Sequence, residues 1–186
     1  PKVILLENVK NLRTHDNGNT IKVILNELTE LGYHLKYEVL NACTHGNIPQ
    51  NRERIFIVGF LEQESCEKFV FPEKIPLTTT VQDFLEDDIE SKYYYTTASP
   101  IYPKLLEAVV DKNTVYQYRR TLVRANKSGV CPTLTANMGG GGHNVPIILD
   151  ENGIRKLTPR ECFRLQGFPS IVLPGLADSQ LYKQAG

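Results

Sequence analysis

Two short polar clusters interrupt apolar sequence in a way that suits chemistry. Glu7-Asn8-Val9 follows directly on Val3-Ile4-Leu5-Leu6, and Gln50-Asn51-Arg52-Glu53-Arg54 runs into the apolar stretch from Ile55 to Leu61. Together they offer one carboxyl group and two guanidiniums that could converge on a cleft. The plain alternative is an ion pair that closes a sheet edge, and for an arbitrary Glu and Arg it is the commoner case. Four cysteines, Cys43, Cys66, Cys131 and Cys162, stand far apart with no CxxC pair. Neither a zinc ribbon nor a disulfide scaffold is indicated, and a reducing, cytoplasmic setting fits best. Cys43 and His45 have a spacing that a thiol hydrolase could use, yet no oxyanion donor or orienting partner accompanies them.

These clusters need a scaffold that brings them together. Lys2 to Leu6 reads as a strand of the parallel kind, buried on both faces, with Glu7 at its carboxyl end. Asp16 to Asn19 supply turn and cap residues, after which Ile21, Ile24, Leu25, Leu28 and Leu31 recur at helical spacing until Gly32 ends the helix. Tyr33 to Ala42 and Arg54 to Leu61 read as two further strands joined by the loop Cys43 to Asn51. Strand, helix, strand, loop, strand is the closing portion of a doubly wound α/β sheet, whose ligands bind outside the carboxyl ends of the strands. If the third strand runs antiparallel, its start meets Glu7, and alternation sets Gln50, Arg52 and Arg54 on one face.

Past Phe71-Pro72 the character changes. The segment to about Lys92 is acidic, carries one short helical candidate at Val81 to Leu85, and reads as a linker over the surface. From Tyr93 the chain is rich in Tyr, Thr and Gly, with β-prone pieces such as Ile147 to Leu149, which predicts a second, smaller, mostly β and irregular domain. Thr158-Pro159-Arg160-Glu161 reads as a helix start with a capping box.

Composition sets the limits. The 186 residues, 41% hydrophobic and 23% charged, suffice for one domain with a small appendage and a real core. No apolar run approaches the roughly 18 residues that a membrane span needs. Pro1 opens the chain with neither an initiator Met nor a basic-then-apolar leader, so no secretory signal is expected and the protein's start is left open. Net charge is zero, 21 basic against 21 acidic residues, which by itself argues against a duplex as partner. The average hides a separation. From Lys112 to Leu149 there is no Asp or Glu, only Lys112, Arg119, Arg120, Arg124 and Lys127, whereas Glu62 to Lys92 holds nine acids against three lysines. An acid-free, Gly-rich, basic stretch suits a phosphate-facing surface; chance is the even alternative.

Four blocks, taken in order, resemble the DNA cytosine-5 methyltransferases of bacterial restriction-modification systems, in their carboxyl-terminal portion. Glu7-Asn8-Val9 looks like the family's Glu-Asn-Val motif and Gln50 to Arg54 like its Gln-x-Arg-x-Arg motif. Arg155 to Glu161 with Leu165-Gln166-Gly167-Phe168-Pro169 is similar to its ninth conserved block, and Tyr182-Lys183-Gln184-Ala185-Gly186 to the opening of its tenth. The resemblance outweighs the ion-pair alternative. It implies the closing strands of a Rossmann-like methyltransferase sheet plus a small target recognition domain. Residues 1–75 would be the end of the catalytic α/β domain, 76–176 the linker and target recognition domain with the ninth block, and 177–186 the start of the segment returning to the catalytic domain.

The implied reaction moves a methyl group from S-adenosylmethionine to C5 of a cytosine flipped out of a short duplex site, after a cysteine adds to C6. Glu7 would hold a proton toward N3 and contact the exocyclic amine, Arg54 would donate to O2, and Arg52 would support the cysteine loop or a phosphate. Gln50 is expected at the DNA. Pro132 to Ala136 with Gly139 to Gly142 resembles the recognition domain's Thr-Leu-x-Ala core and glycine loop, with Thr133 on a phosphate and Gly139, Gly140 and Gly141 letting the backbone approach the duplex. Arg119, Arg120 and Arg124 are candidate guanine readers and Lys127 a backbone contact, with at least one of these arginines simply solvated.

The departures count equally. The family's Phe-x-Gly-x-Gly cofactor loop and Pro-Cys-Gln nucleophile motif occur nowhere in the 186 residues, and Cys131-Pro132 reverses the order of the latter. The chain is therefore expected to hold half an active site, with no assigned cofactor or metal ligand, and to be inactive alone. Its expected partners are double-stranded DNA and the missing N-terminal half or a companion subunit, with no membrane, in the bacterial cytoplasm. The alternative is a non-catalytic DNA-recognition subunit of a split methyltransferase, or an inactive homologue.

Overall fold

A computed structural model describes residues 1–126, 128–140 and 144–186; Lys127 and Gly141, both expected at the DNA, lie outside the described residues. In chain order come β1 (Val3–Val9), α1 (Asn19–Glu30), β2 (His34–Asn41), the single turn α2 (Ala42–His45), β3 (Gln50–Asn51), β4 (Glu53–Phe60) and α3 (Gln63–Lys68). There follow α4 (Tyr102–Ala108), β5 (Val115–Arg119), β6 (Leu122–Asn126), β7 (Cys131–Pro132), β8 (Ile147–Leu149), β9 (Ile154–Lys156), α5 (Pro159–Arg164) and α6 (Asp178–Ala185). The chain forms two compact units, Pro1–Gly46 with Glu53–Pro76, and Asn47–Arg52 with Leu77–Gly186.

In the first unit β1, β4 and β2 form a three-stranded sheet in that order, with β4 antiparallel to both neighbours. Ile21, Ile24, Leu25 and Leu28 of α1 pack with Ile55 and Ile57 of β4 and with Leu35 and Val39 of β2. Gly59 lets the flanking strands close over β4: a Cβ there would stand 2.8 Å from side-chain carbons of both Ile4 and Leu35. The helix ends where the spacing predicts, at Gly32 with φ of 88°, and the Gly32 and Tyr33 N–H groups bond back to the Thr29 and Leu28 carbonyls in a Schellman turn.

The apolar run predicts burial of β1 on both faces; within these 186 residues Ile4 is half-buried and Leu5 is 67% exposed. Here β1 is the outer of the three paired strands, and the apolar stripe of α1 reaches only β4 and β2. The strand also runs on through Val9, so Glu7 lies inside it, not beyond its end.

The second unit is built on a four-stranded antiparallel sheet, β6-β5-β8-β9. Its main core gathers Val81, Tyr93, Val115, Leu134, Leu157 and Tyr182 with others. Thr158 caps α5, and its capping box with Glu161 is formed as the sequence predicts. One segment behaves differently from the sequence reading. The acidic stretch after Leu77 is no surface linker: Val81 is 2% exposed, and Phe84, Leu85 and Ile89 pack on the core, because the apolar residues between the acids turn inward. Residues 177–186 group with this unit through Leu181, Tyr182 and Ala185. Among the described residues no helix is long and apolar enough to cross a membrane, and no group of His, Cys, Asp and Glu could hold a metal ion.

Candidate functional site

Glu7 and Arg54 meet within the first unit. The β1–β4 register sets Glu7 opposite Phe56 and Val9 opposite Arg54, so the two charged residues are diagonal neighbours on one face. That face is the reverse of the one Ile55 and Ile57 turn to α1. Arg54 Nε lies 2.8 Å from Glu7 Oε1, with the guanidinium side chain 16% and the carboxyl side chain 47% exposed. Arg54 Nη1 also donates to the Glu53 carbonyl at 2.9 Å. The neighbouring acid, Glu53, has its own partner, since Lys10 Nζ donates to both its carboxyl oxygens at 2.9 Å. The result is a fixed guanidinium beside a carboxylate half open to solvent.

Gln50 and Arg52 do not continue that strand. β3 pairs in parallel with β7, and both residues belong to the second unit, so the expected common face for Gln50, Arg52 and Arg54 is not formed. Gln50, expected at the DNA, is fully buried; its Nε2 donates to the Leu165 carbonyl at 2.7 Å and its Oε1 accepts from the Leu134 N–H at 3.1 Å. An amide used at both ends inside a core joins two backbone segments. Arg52 donates to the Leu134 carbonyl at 3.2 Å and lines a small cavity of about 130 Å³ with Phe163, Gln166, Phe168 and Gln184.

The Thr133 hydroxyl donates to the Asn51 carbonyl at 2.5 Å, so a phosphate would have to exchange for that carbonyl to take its proton. Gly139 lies tightly against α6: a Cβ there would come 2.4 Å from the Ser179 carbonyl oxygen. Gly140 is exposed, and its N–H closes a turn onto the Asn137 carbonyl at 3.0 Å.

The three arginines sit on one hairpin. β5 and β6 are joined by Arg120-Thr121 alone, both with positive φ, 50° and 68°. Pairing sets Gln117 opposite Arg124 and Arg119 opposite Leu122, which puts Arg119 and Arg124 on one face and Arg120 at the tip. All three are exposed. The other face carries Tyr116, Tyr118 and Val123 onto a second core cluster with Leu105, Val109 and Ile147.

Sequence reasoning missed the polar centre of the second unit. Arg155, 1% exposed, donates from Nη1 and Nη2 to both oxygens of the fully buried Glu161 at 2.8 Å, and from Nε to Asp150 at 2.5 Å. The Thr158 and Glu86 N–H groups complete Glu161 at 2.7 and 3.0 Å. Burial opposes the charge on Asp150, but hydrogen bonds from Arg155, the Asn152 N–H and Tyr94 outweigh it and hold the carboxyl below its usual range. The capping box located Glu161. Nothing in the spacing signalled that Arg155 turns inward to meet it.

Cys66, Cys131 and Cys162 are buried, and burial pushes the Cys162 thiol far up. Cys43 lies in the α2 turn, and the His45 Nδ1 beside it is engaged by the Asn41 N–H at 3.2 Å and the Thr44 hydroxyl at 2.9 Å. The turn itself uses that nitrogen, which further weakens the thiol-hydrolase reading.

Comparison with known proteins agrees along the whole chain. Residues 1–186 match the family model for C-5 cytosine-specific DNA methylase. The type II methyltransferase M.Bsp6I of Bacillus sp. (strain RFL6) is 58% identical over 190 residues, covering all of this chain and 60% of that protein. M.HhaI of Haemophilus parahaemolyticus is 35% identical over 194 residues, again covering all of this chain and 58% of the relative. The chain thus spans about 60% of the length of these relatives. Among solved structures, the Entamoeba histolytica methyltransferase EhMeth superposes with a TM-score of 0.69 at 17% identity, covering 100% of this chain and 57% of that one, a likeness of fold.

Proposed function

Because the chain belongs to the C-5 cytosine-specific DNA methylase family, we propose that it is part of an enzyme that transfers a methyl group from S-adenosylmethionine to C5 of a cytosine flipped out of duplex DNA. The observation that carries this reading is the Glu7–Arg54 pair, 2.8 Å apart on an open sheet face. A flipped cytosine presents N3, its exocyclic amine and O2 along one edge. Glu7 holds the proton at N3 and accepts from the amine, while Arg54, already fixed by Glu7 and the Glu53 carbonyl, donates to O2 as electrons move into the ring. Arg52 supports a phosphate or the nucleophile's loop. Arg119, Arg120 and Arg124, with Lys127, Thr133, Gly140 and Gly141, form the DNA-facing surface; Gln50 and Gly139 act by holding the second unit together.

The open groove of the first unit does not fit the methyl donor. It is lined by Leu25, Thr29, Tyr33, Lys36 and Gln63 without a glycine-rich turn, and the Lys36 ammonium is committed to the Glu67 and Phe69 carbonyls. Most of the donor site and the attacking thiolate are assigned to the part of the relatives that lies beyond the stretch matched here. The site of work is the bacterial cytoplasm, where the duplex is.

Two outcomes test this. The 186-residue chain alone, given duplex DNA and labelled S-adenosylmethionine, is expected to leave no label in DNA; three of its four thiols are buried. Labelled DNA from the chain alone overturns the division of labour. In the full-length protein, Arg124→Ala or Arg119→Ala is expected to cost about 1 to 3 kcal/mol of binding and to relax one position of the recognised site. Equal, sequence-independent losses for both would leave only a nonspecific basic patch.

A further inference from the structure

The hairpin tip is held in a conformation its residues do not favour. Arg120 and Thr121 both have positive φ, as a two-residue turn between twisted strands requires, but Thr121 is β-branched, and such residues rarely enter that region. Gly or Asn is the usual choice there. Something else must hold the turn. The Thr121 hydroxyl donates to the Arg120 carbonyl at 2.6 Å, and Lys104 Nζ, from α4, donates to the Thr121 carbonyl at 3.1 Å.

α4 is built to carry that contact. Leu105, next to Lys104, is fully buried, and with Val109 it packs against Tyr116, Tyr118 and Val123 on the hairpin's inner face. At the other end of the helix the Tyr116 hydroxyl accepts from the Asp111 and Val110 N–H groups at 3.1 and 3.4 Å. The helix is therefore fastened to the hairpin at its base by Tyr116 and at its tip by Lys104, with apolar packing between.

We infer that α4 is a brace that presets the hairpin tip for reading base edges, and that Lys104 is a positioning residue for sequence specificity, acting through the Thr121 carbonyl and not by touching DNA. The inference rests on the reading of Arg119, Arg120 and Arg124 as DNA contacts. Strain in a binding tip persists only where surrounding structure over-determines it. A tip already in its bound shape gives the guanidiniums a fixed register on the groove, and a loosened tip lets them slide onto phosphates, which carry no sequence information.

The test uses the full-length protein, the duplex site it methylates as mapped by 5-methylcytosine sequencing, and the same duplex with one pair changed beside the target cytosine. Lys104→Met is expected to lower the ratio of binding to the two duplexes by on the order of tenfold and to leave the salt dependence of binding unchanged. Adding Thr121→Gly to Lys104→Met is expected to recover most of the ratio, because glycine takes the positive φ without help. If Lys104 instead meets a phosphate, Lys104→Met lowers the salt slope by about one unit, leaves the ratio alone and is not rescued, and the brace is overturned. An unchanged ratio and slope overturn it as well. If Arg119→Ala and Arg124→Ala also leave the ratio untouched, the DNA-reading assignment of the hairpin fails, whereas a loss in those variants with none in Lys104→Met removes only the brace.

Discussion

Replacing Glu7 by Gln in the full-length protein is expected to slow the methyl-transfer step by about 10²- to 10⁴-fold while DNA binding stays nearly unchanged. The amide keeps the shape of the carboxyl and can still accept a hydrogen bond from the exocyclic amine of a flipped cytosine. It cannot share a proton with N3, so electrons are no longer drawn from the ring as the thiolate adds. Glu7→Ala is expected to be at least as slow and to hold the flipped base less firmly. The competing account, a Glu that merely closes the sheet edge against Arg54, makes a different forecast. With the carboxyl side chain 47% exposed, such a pair contributes at most about 1 kcal/mol, so its loss lowers the melting temperature slightly and leaves turnover alone. Single-turnover rate and melting temperature measured on one Glu7→Gln preparation separate the two, and a normal rate with reduced stability sinks the catalytic assignment.

What could be read from the residues follows from how local each feature is. α1 was legible because its apolar spacing and Gly32 are contiguous in sequence, and the Thr158 capping box because it spans one turn. The Glu7–Arg54 pair was legible because an antiparallel β4 next to β1 leaves little choice of diagonal neighbour. The burial of Gln50 was not legible. Its motif lies next to Arg52 and Arg54, but its partners, the Leu165 carbonyl and the Leu134 N–H, are more than eighty residues away in sequence. Gly139 carries the same lesson, for its missing side chain answers to α6, a contact that no local pattern announces.

The same distinction makes Arg155 and Glu161 the most sensitive pair for stability. The guanidinium donates to both carboxyl oxygens at 2.8 Å with neither side chain reaching solvent, and the Thr158 and Glu86 N–H groups depend on the same carboxylate. Removing Glu161 leaves a buried guanidinium without its main partner and two N–H groups without their acceptor. Glu161→Ala is therefore expected to destabilise the second unit by about 3 to 5 kcal/mol. The loss should appear as faster hydrogen exchange in peptides covering β9 and α5. Glu161→Gln keeps an acceptor for one N–H and should fall between Glu161→Ala and the parent. Asp150, bonded to the same guanidinium, sets a pH signature. Its carboxyl is held below the usual range in the folded protein, so its contribution is complete above the unfolded carboxyl pKa, about 3.9, and is lost as pH falls through the lower folded value. An acid-unfolding midpoint should therefore rise in Arg155→Met, which leaves Asp150 without its principal donor. Parent-like exchange in Glu161→Ala, or an acid midpoint unmoved by Arg155→Met, would mean that hydrophobic packing alone carries this unit and that the ninth block's charged residues are replaceable.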